Sequence, residues 1–182
     1  MKNCFILHGS FGSSQSNWFP WLEKEISRGG YTVYNLDMPT GVGRQNFTNW
    51  EMVLDSLKRF INEETIFFCH SSSCVFLCKY LIKHKIKAGK VVFVAPFNHY
   101  LGINEDYDDV NCTFFTNTLS QLKNFVPERI CYFSNNDPYI GYDAPSAFAK
   151  NIEATKIVEI KNGGHLNGEA GYTKFPELLK YL

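Results

Sequence analysis

Residues 69–74 read CHSSSC and lie between two apolar stretches, residues 65–68 (TIFF) and residues 75–78 (VFLC). The first stretch favours a buried β-strand and the second favours an α-helix. A strand, a tight turn with a central serine and a helix form a nucleophile elbow, in which the serine hydroxyl projects above the edge of a parallel sheet. The usual pattern is Gly-x-Ser-x-Gly, and Cys69 and Ser73 occupy the two glycine positions here. Since both side chains are small, the pattern still predicts a tight turn, in a weaker form.

The central serine of this pattern is Ser71, and its neighbours Ser72 and Ser73 remain alternatives. Serine is also favoured at the N-cap of a helix, so a plain serine-rich helix start would give the same local sequence. A serine nucleophile needs a base and an orienting carboxylate elsewhere in the chain. The rest of the sequence therefore decides between the two interpretations.

Strand-like and helix-like stretches alternate along the chain. The strands are predicted at 4–7, 32–36, 66–69, 91–95, 130–133 and 156–160. The helices are predicted at 18–27, 48–62, 72–84, 144–151 and 174–182. Residues 91–95 (VVFVA) are apolar throughout, which is typical of a parallel strand that is buried on both faces. This alternation over 182 residues predicts one α/β domain, with a mainly parallel six-stranded sheet between two layers of helices.

Residues 98–123 interrupt the alternation. The stretch shows no clear helical or strand period, and residues 105–109 (EDYDD) form an acidic patch. We expect an irregular excursion here. It is either a solvated surface segment or a small cap over the carboxyl edge of the sheet, where ligands bind in this class of fold.

The overall composition argues against several classes of function. Eighteen lysine and arginine residues balance 18 aspartate and glutamate residues, so we expect no nucleic-acid and no membrane partner. No stretch reaches the ~18 apolar residues that a membrane span needs. The first apolar stretch ends at His8, which makes it too short for a signal peptide. We therefore predict a cytoplasmic protein.

The six cysteines do not suggest a metal site or a disulfide framework. Most of them lie inside apolar strand or helix patterns, where a buried, reduced thiol is the ordinary state. Cys74 and Cys78 share a helix face, but no Cys-x-x-Cys pair and no zinc-like histidine spacing accompanies them. We expect neither a metal nor a cofactor.

Three of the five histidines follow Ser71 in the chain, as the order serine, acid, histidine requires. His84 lies on the helix after the elbow and is expected to point away from the sheet edge, and His99 is a weak candidate after the fourth strand. His165 lies in the glycine-containing loop 162–166 (NGGHL), just past the last strand. Such a loop can aim an imidazole back at the serine, so we predict His165 as the base.

The carboxylate is expected after the fifth strand. Asp137 follows residues 130–133 (ICYF) within a few positions, in the turn 134–138 (SNNDP). This turn also has an ordinary explanation, since asparagine, aspartate and proline favour turns. Asp143 is the alternative, although its position before a predicted helix suits an N-cap better.

An oxyanion hole requires two backbone amides that face the serine. One is predicted to be the amide of Ser72, directly after the nucleophile, and the other should come from the loop 8–14 (HGSFGSS) after the first strand. Either Ser10 or Phe11 would donate it. The loop carries neither a Gly-x-Gly-x-x-Gly pattern nor a Walker lysine, so it does not predict phosphate binding.

The first predicted helix opens with the aromatic-rich residues 18–22 (WFPWL). Aromatic residues at this density usually belong to the core, but they would also suit the wall of an acyl pocket beside the loop 8–14. We take Trp18 and His70 as candidate substrate-binding residues.

With these pieces in order, the chain resembles the small serine hydrolases similar to retinoblastoma-binding protein 9, a branch of the α/β-hydrolases with many bacterial members. The resemblance runs nearly from end to end and rests on ILHG at 6–9, WFPWL at 18–22, HS at 70–71, NDP at 136–138, GGHLN at 163–167, EAGY at 169–172 and FPEL at 175–178. It assigns the nucleophile to Ser71, the acid to Asp137 and the base to His165. It also implies an α/β-hydrolase fold over residues 1–182 with little or no lid. The family usually has Gly-His-Ser-x-Gly at the elbow, and this chain departs from that pattern at Cys69 and Ser73.

The sequence therefore predicts a serine hydrolase that cleaves a small acyl ester, thioester or amide through an acyl-enzyme. The alternative is a catalytically weak or inactive hydrolase scaffold that binds a protein, since a fold does not guarantee an activity. No protein partner is otherwise indicated. A cysteine enzyme is not favoured, because Cys69 is expected to face the interior of the sheet and Cys74 lies on the helix beyond the turn.

Overall fold

The computed structural model describes residues 2–103 and 105–182; Met1 and Asn104, the latter within the predicted excursion, lie outside the described residues. The described residues form six strands: β1 Asn3–Leu7, β2 Thr32–Leu36, β3 Ile66–His70, β4 Lys90–Val94, β5 Glu128–Ser134 and β6 Lys156–Ile160. They make one sheet in the order β2-β1-β3-β4-β5-β6, and every neighbouring pair is parallel. The predicted α/β fold is confirmed, and each strand lies within one or two residues of its predicted bounds.

The α-helices pack on the two faces of this sheet, except the fourth, which contacts the loop after β1 at the carboxyl edge. They are α1 Phe19–Arg28, α2 Phe47–Ser56, α3 Ser72–His84, α4 Glu105–Cys112 and α5 Asp143–Asn151. The helix predicted at 48–62 ends at Ser56 and continues as a 3₁₀ turn at Lys58–Phe60. The backbone tightens there because the Leu57 amide donates to the Leu54 carbonyl, three residues back.

The C-terminal segment also forms a tighter helix than predicted. Residues 174–182 contain a 3₁₀-helix at Pro176–Tyr181 rather than an α-helix. Its buried residues Leu178 and Tyr181 are three apart, which matches the three residues per turn of a 3₁₀-helix. Among the described parts of the chain, no helix is long and apolar enough to cross a membrane.

The sheet is buried on both faces, as β1 illustrates. All of its residues are buried, and successive side chains of a strand point to opposite faces. Phe5 and Leu7 pack into the core cluster that α2, α3 and α5 cover, whereas Cys4 and Ile6 pack into the cluster under α1 and the C-terminal 3₁₀-helix. Burying one large apolar side chain contributes roughly 1.5–3 kcal/mol. The central strands therefore hold their carboxyl ends rigidly in place.

The predicted excursion at 98–123 contains regular structure. Its described residues include α4, and a 3₁₀-helix follows at Leu119–Asn124. The acidic patch 105–109 lies in the first turns of α4, where carboxylates are favoured by the helix dipole. The prediction of an irregular segment is therefore wrong here. α4 has too few apolar residues to show a helical period, and it is held by the burial of Val110 and Asn111.

The carboxyl ends of β1 and β3 lie side by side in the sheet. The chain leaves β1 toward β2 on one side and later places β3 on the other side. Open α/β sheets bind ligands at such a switch point, where the direction of the connections reverses. The loop 8–14 and Ser71 follow these two strand ends directly.

Candidate active site

Ser71 lies in a sharp turn between the end of β3 and the first residue of α3. Its backbone has φ 59° and ψ −127°, a conformation that residues with a side chain rarely adopt and that costs on the order of 1–3 kcal/mol. Two hydrogen bonds hold the turn. The Ser71 amide donates to the Val94 carbonyl at 2.8 Å, and the Cys74 amide donates to the Ser71 carbonyl at 3.1 Å. The strained turn of an elbow is thus formed without either glycine of the usual pattern.

The side chains of Ser71, His165 and Asp137 form one hydrogen-bonded row. The Oγ of Ser71 lies 3.1 Å from Nε2 of His165, and Nδ1 of His165 lies 2.7 Å from Oδ2 of Asp137. All three residues are buried. Because the Nδ1–H group of His165 donates a hydrogen bond to the carboxylate, Nε2 is left to accept a hydrogen bond from the serine hydroxyl. The arrangement can therefore withdraw a proton from Ser71.

The two carboxylate oxygens of Asp137 have different partners, one in the turn after β5 and the other in the hydrogen-bonded row with His165 and Ser71. Its Oδ1 accepts hydrogen bonds from the amides of Tyr139 and Ile140 at 2.9 and 3.2 Å. Its Oδ2 faces His165. Asp137 therefore stabilises the turn with Oδ1 and orients His165 with Oδ2.

The loop that carries His165 is fastened to the turn after β5. The Gly163 amide donates to Ser134 Oγ at 2.8 Å, and the Gly164 amide donates to Asn136 Oδ1 at 2.9 Å. Gly164 has φ +57°, and a Cβ at this position would lie 2.8 Å from a neighbouring side chain, so the turn requires glycine. The carboxylate and the imidazole are therefore placed by a shared network.

Trp18 supports this loop from the core and does not line the cavity above Ser71. Its side chain is 0% exposed and packs edge-on against Phe19 and Phe175. Its Nε1 donates to the Leu166 carbonyl at 3.0 Å. The prediction that Trp18 binds substrate is therefore wrong, because core packing encloses the whole ring. The indole instead fixes the backbone of Leu166, which directly follows His165.

His70 also supports the loop, from the edge of the cavity. It is 4% exposed, and its Nε2 donates to the His165 carbonyl at 3.0 Å. Burial, followed by the charge of the neighbouring His165, lowers the pKa of His70 to about 3, so the ring is neutral in the folded protein. His70 lines the cavity, but its Nε2 is committed to positioning His165. Substrate contact by the rest of the ring stays a prediction.

The low pKa of His70 predicts that acid destabilises the fold. Between pH 6.5, the ordinary histidine pKa, and about 3, the unfolded chain binds a proton at His70 that the folded chain excludes. The free energy of unfolding should therefore fall as the pH falls through this window, by up to ~1.4 kcal/mol per pH unit from this group. Urea unfolding of wild type and His70→Asn between about pH 7 and about pH 4.5 measures the difference in slope.

The matched control for this measurement is His99→Asn, since His99 is exposed. We expect His70→Asn to flatten the pH dependence and His99→Asn to leave it unchanged. Equal slopes for all three proteins would contradict a neutral, buried His70.

The two substituted glycine positions of the elbow have defined roles. Ser73 Oγ accepts a hydrogen bond from the His70 amide at 3.0 Å and lies 2.9 Å from the Leu7 carbonyl oxygen, to which it can donate. Cys69 is buried in the core, and burial raises the pKa of its thiol, which keeps the thiol protonated. Of these residues and their neighbours, Ser71 is the one that faces the imidazole.

Close approach at the elbow depends on Gly9, in the loop after β1. A Cβ at Gly9 would lie 2.7 Å from the Ser71 Cβ and 3.1 Å from the His70 carbonyl oxygen. His8 fixes this loop, because its Nδ1 donates to the Gly9 carbonyl at 2.8 Å while its Nε2 accepts from the Met38 amide at 2.9 Å. The space that elbow glycines usually provide is supplied here by the neighbouring loop.

Among the described residues, the backbone amides of Ser72 and Ser10 donate to no recorded acceptor, and both residues lie next to Ser71 or in the loop beside it. Ser72 is the first residue of α3, where an amide has no acceptor within the helix. The Phe11 amide donates to Gln45 Oε1 at 3.2 Å, whereas the Ser10 amide donates no hydrogen bond within residues 2–103 and 105–182. This difference favours Ser10 over Phe11 as the second amide.

A buried polar network, which the sequence did not predict, supports Ser10. Gln45 Nε2 donates to Ser10 Oγ at 2.9 Å and to Asn111 Oδ1 at 3.1 Å. Ser10 Oγ lies 2.7 Å from Asn111 Oδ1 and 2.9 Å from Ser72 Oγ. Gln45 and Asn111 are buried but stand alone in polar stretches of sequence, so no local pattern marks them. The network joins the loop after β1 to α3 and α4.

A cavity of about 280 Å³ opens above the elbow at the carboxyl edge of the sheet. Phe11, Tyr107 and Tyr139 give it aromatic walls, and Asn167 and Glu169 contribute to its polar lining. The Tyr139 hydroxyl donates to Glu169 Oε2 at 2.6 Å, which ties two walls together. The space suits a small ligand with both polar and apolar parts.

The other candidates from the sequence lie elsewhere. His84 Nε2 is 2.6 Å from Glu51 Oε1, on the far part of α3. His99 is exposed after β4, and Asp143 is the exposed first residue of α5. None of these three side chains belongs to the row at the elbow.

Comparisons with known proteins identify the family and the fold of this chain. A protein-family model described as serine hydrolase matches residues 4–182. YdeN of Bacillus subtilis (strain 168), a protein named as a candidate hydrolase, is 24% identical over 177 residues, which cover 96% of this chain and 91% of YdeN. The crystal structure of the B. subtilis ydeN gene product matches with a TM-score of 0.88 and 24% identity, over 100% of this chain and 96% of that chain.

More distant structures share the fold. A YdeN-like candidate hydrolase from Pectobacterium atrosepticum matches with a TM-score of 0.74 and 18% identity, over 100% of this chain and 89% of that chain. Polyneuridine aldehyde esterase matches with a TM-score of 0.68 and 14% identity, over 100% of this chain and 98% of that chain. The family model extends over all but the first three residues, from the start of the sheet to the C-terminal helix. The chain therefore belongs to the serine hydrolase family and has the α/β-hydrolase fold.

Proposed function

We propose that this protein hydrolyses small acyl esters, thioesters or amides through a covalent acyl-enzyme on Ser71. The observation that carries the proposal is the row of hydrogen bonds from Ser71 through His165 to Asp137, with Ser71 Oγ 3.1 Å from the imidazole Nε2. The row lies at the base of a cavity, so a bound carbonyl can approach the serine hydroxyl.

The reaction proceeds by nucleophilic attack and collapse. Ser71 Oγ forms a bond to the substrate carbonyl carbon, its proton passes to His165 Nε2, and the carbonyl π electrons move onto the carbonyl oxygen. When the tetrahedral intermediate collapses, the bond to the leaving group breaks and His165 returns the proton to that group. Water then attacks the carbonyl carbon of the acyl-enzyme while His165 Nε2 takes its proton. The bond to Ser71 Oγ breaks, the proton returns to Ser71 and the acid product leaves, and Asp137 holds the imidazole throughout.

The developing negative charge is stabilised by the amides of Ser72 and Ser10. The Ser72 amide also lies at the positive end of the α3 dipole. Each such donor contributes roughly 10²–10³ in rate when it is fixed in advance. The strained turn at Ser71 and the polar network around Ser10 supply that fixed geometry.

The cavity supports small substrates over long-chain lipids. Its volume of about 280 Å³ leaves room for a short acyl group and a modest leaving group. The esterase named among the structural relatives is consistent with ester chemistry. Membership of the branch similar to retinoblastoma-binding protein 9, and a cytoplasmic location, are further parts of this proposal that rest on the sequence.

Labelling with a fluorophosphonate tests the proposed nucleophile. We expect the folded wild type to be labelled, with the adduct located on Ser71 by fragmentation of the peptide that contains residues 69–74. Ser71→Ala should abolish labelling, and Ser120→Ala, which removes an exposed serine on a 3₁₀-helix, should not. Unlabelled wild type, or undiminished labelling of Ser71→Ala, would refute the proposal.

A further inference from the structure

Tyr107 of α4 places a phenol in the cavity beside Ser71, and it belongs to none of the motifs identified in the sequence. It is the third residue of α4, is half-buried and lines the cavity. The side chains of Ser71 and Ser10 line the same cavity and lie close enough to the phenol to lower its pKa. The phenol therefore lies beside the nucleophile and beside the residue whose amide we propose as an oxyanion donor.

The position of Tyr107 is built into the fold. Asn111 Nδ2 donates to the Tyr107 carbonyl at 2.8 Å, one helical turn away, and Asn111 Oδ1 lies 2.7 Å from Ser10 Oγ. The ring of Phe11 lies 5.8 Å from the Tyr107 ring, centroid to centroid. Buried Asn111 thus links α4 to the loop after β1, so the phenol and the Ser10 amide are fixed relative to each other.

The phenol of Tyr107 is a proton donor at neutral pH. Burial raises its pKa above the ordinary value, and this outweighs the influence of the nearby Ser71 and Ser10 side chains, which act in the opposite direction. The hydroxyl therefore keeps its proton at neutral pH. Its hydrogen is available to whichever acceptor develops beside Ser71.

We propose that Tyr107 is a further catalytic residue, whose hydroxyl donates a hydrogen bond to the oxyanion as a third donor beside the amides of Ser72 and Ser10. In the tetrahedral intermediate, Ser71 Oγ and the oxyanion are bonded to one carbon, so a donor within reach of Ser71 Oγ and Ser10 reaches the oxyanion too. Tyr107 keeps its proton and forms no covalent bond. This inference rests on the proposed function, and it makes α4 part of the active site.

The test compares Tyr107→Phe with wild type in the hydrolysis of a short-chain nitrophenyl ester. The substitution removes the hydroxyl and keeps the ring contact with Phe11, so the fold should persist. We expect kcat to fall roughly 10²-fold with little change in KM, because the lost bond is stronger in the transition state than with substrate. Tyr100→Phe is the matched control, since Tyr100 lies in the same segment and is largely exposed.

Inhibitor affinity separates catalysis from simple binding or support. A short-chain trifluoromethyl ketone forms an adduct with Ser71 that carries the oxyanion, and its affinity for Tyr107→Phe should fall by a similar factor. An increase in KM alone, or wild-type values of both kcat and affinity, would overturn the inference while labelling of Ser71 left the proposed function intact. A wild type without any labelling at Ser71 would overturn both.

Discussion

Replacement of His165 by alanine should reduce the hydrolysis of a short-chain nitrophenyl ester by roughly 10⁶-fold in kcat, close to complete loss. The imidazole Nε2, 3.1 Å from Ser71 Oγ, is the base that this geometry offers to the serine. Without it, the hydroxyl stays protonated at neutral pH and the leaving group receives no proton. Because the base and the nucleophile act as a unit, His165→Ala combined with Ser71→Ala should be little worse than either change alone.

The matched control for this experiment is His99→Ala, the other histidine that follows a strand end beyond the elbow. His99 is exposed and outside the row of hydrogen bonds, so its removal should leave kcat and KM unchanged. A loss of less than about 10-fold in His165→Ala would contradict the proposed mechanism. It would instead favour a scaffold that binds a protein and does not depend on the triad.

Asp137→Asn should lower kcat by about 10⁴-fold while the protein keeps its fold. The amides of Tyr139 and Ile140 both donate to Oδ1 of Asp137 and would continue to hold the oxygen of an asparagine there. The NH₂ group of the new amide would then face Nδ1 of His165. That nitrogen would have to accept, the proton would move to Nε2, and the imidazole could no longer accept the proton of Ser71.

Asp143→Asn is the control for this change, because Asp143 is an exposed aspartate near the same strand end. It should retain the activity of wild type. The measurement compares kcat of Asp137→Asn with kcat of Asp143→Asn and wild type. The temperature of unfolding of both variants is measured as well, to show that any loss of kcat does not come from a loss of stability. Retention of more than about a tenth of wild-type kcat in Asp137→Asn would show that the carboxylate does not select the tautomer.

The sheet and the row of side chains at its edge could be predicted because their signals are local. Buried parallel strands are apolar throughout, as in residues 91–95, and the polar residues that follow a strand end must lie at the carboxyl edge. Asp137 and His165 each follow a strand by a few residues. Their meeting with Ser71 then follows from the parallel order of the strands.

The parts that could not be predicted depend on contacts between distant segments. Tyr107 lies among acidic residues with no helical period, and its role is visible only when α4 packs against the loop after β1. Gln45 lies 35 residues from Ser10 in the chain and shows no pattern of its own. The prediction for Trp18 failed for another reason. An aromatic cluster usually belongs to the core but also suits a pocket wall, and only the packing around the whole Trp18 ring shows which of the two applies.

Ser73, which occupies the second glycine position of the usual elbow pattern, uses its hydroxyl to connect two strands. It bridges the His70 amide and the Leu7 carbonyl at the point where β1 and β3 separate and their ladder of backbone bonds ends. A glycine would leave both groups without this partner. Where a glycine would leave empty space, Ser73 thus provides a side-chain link between β1 and β3, and the close approach to the nucleophile is made instead by Gly9.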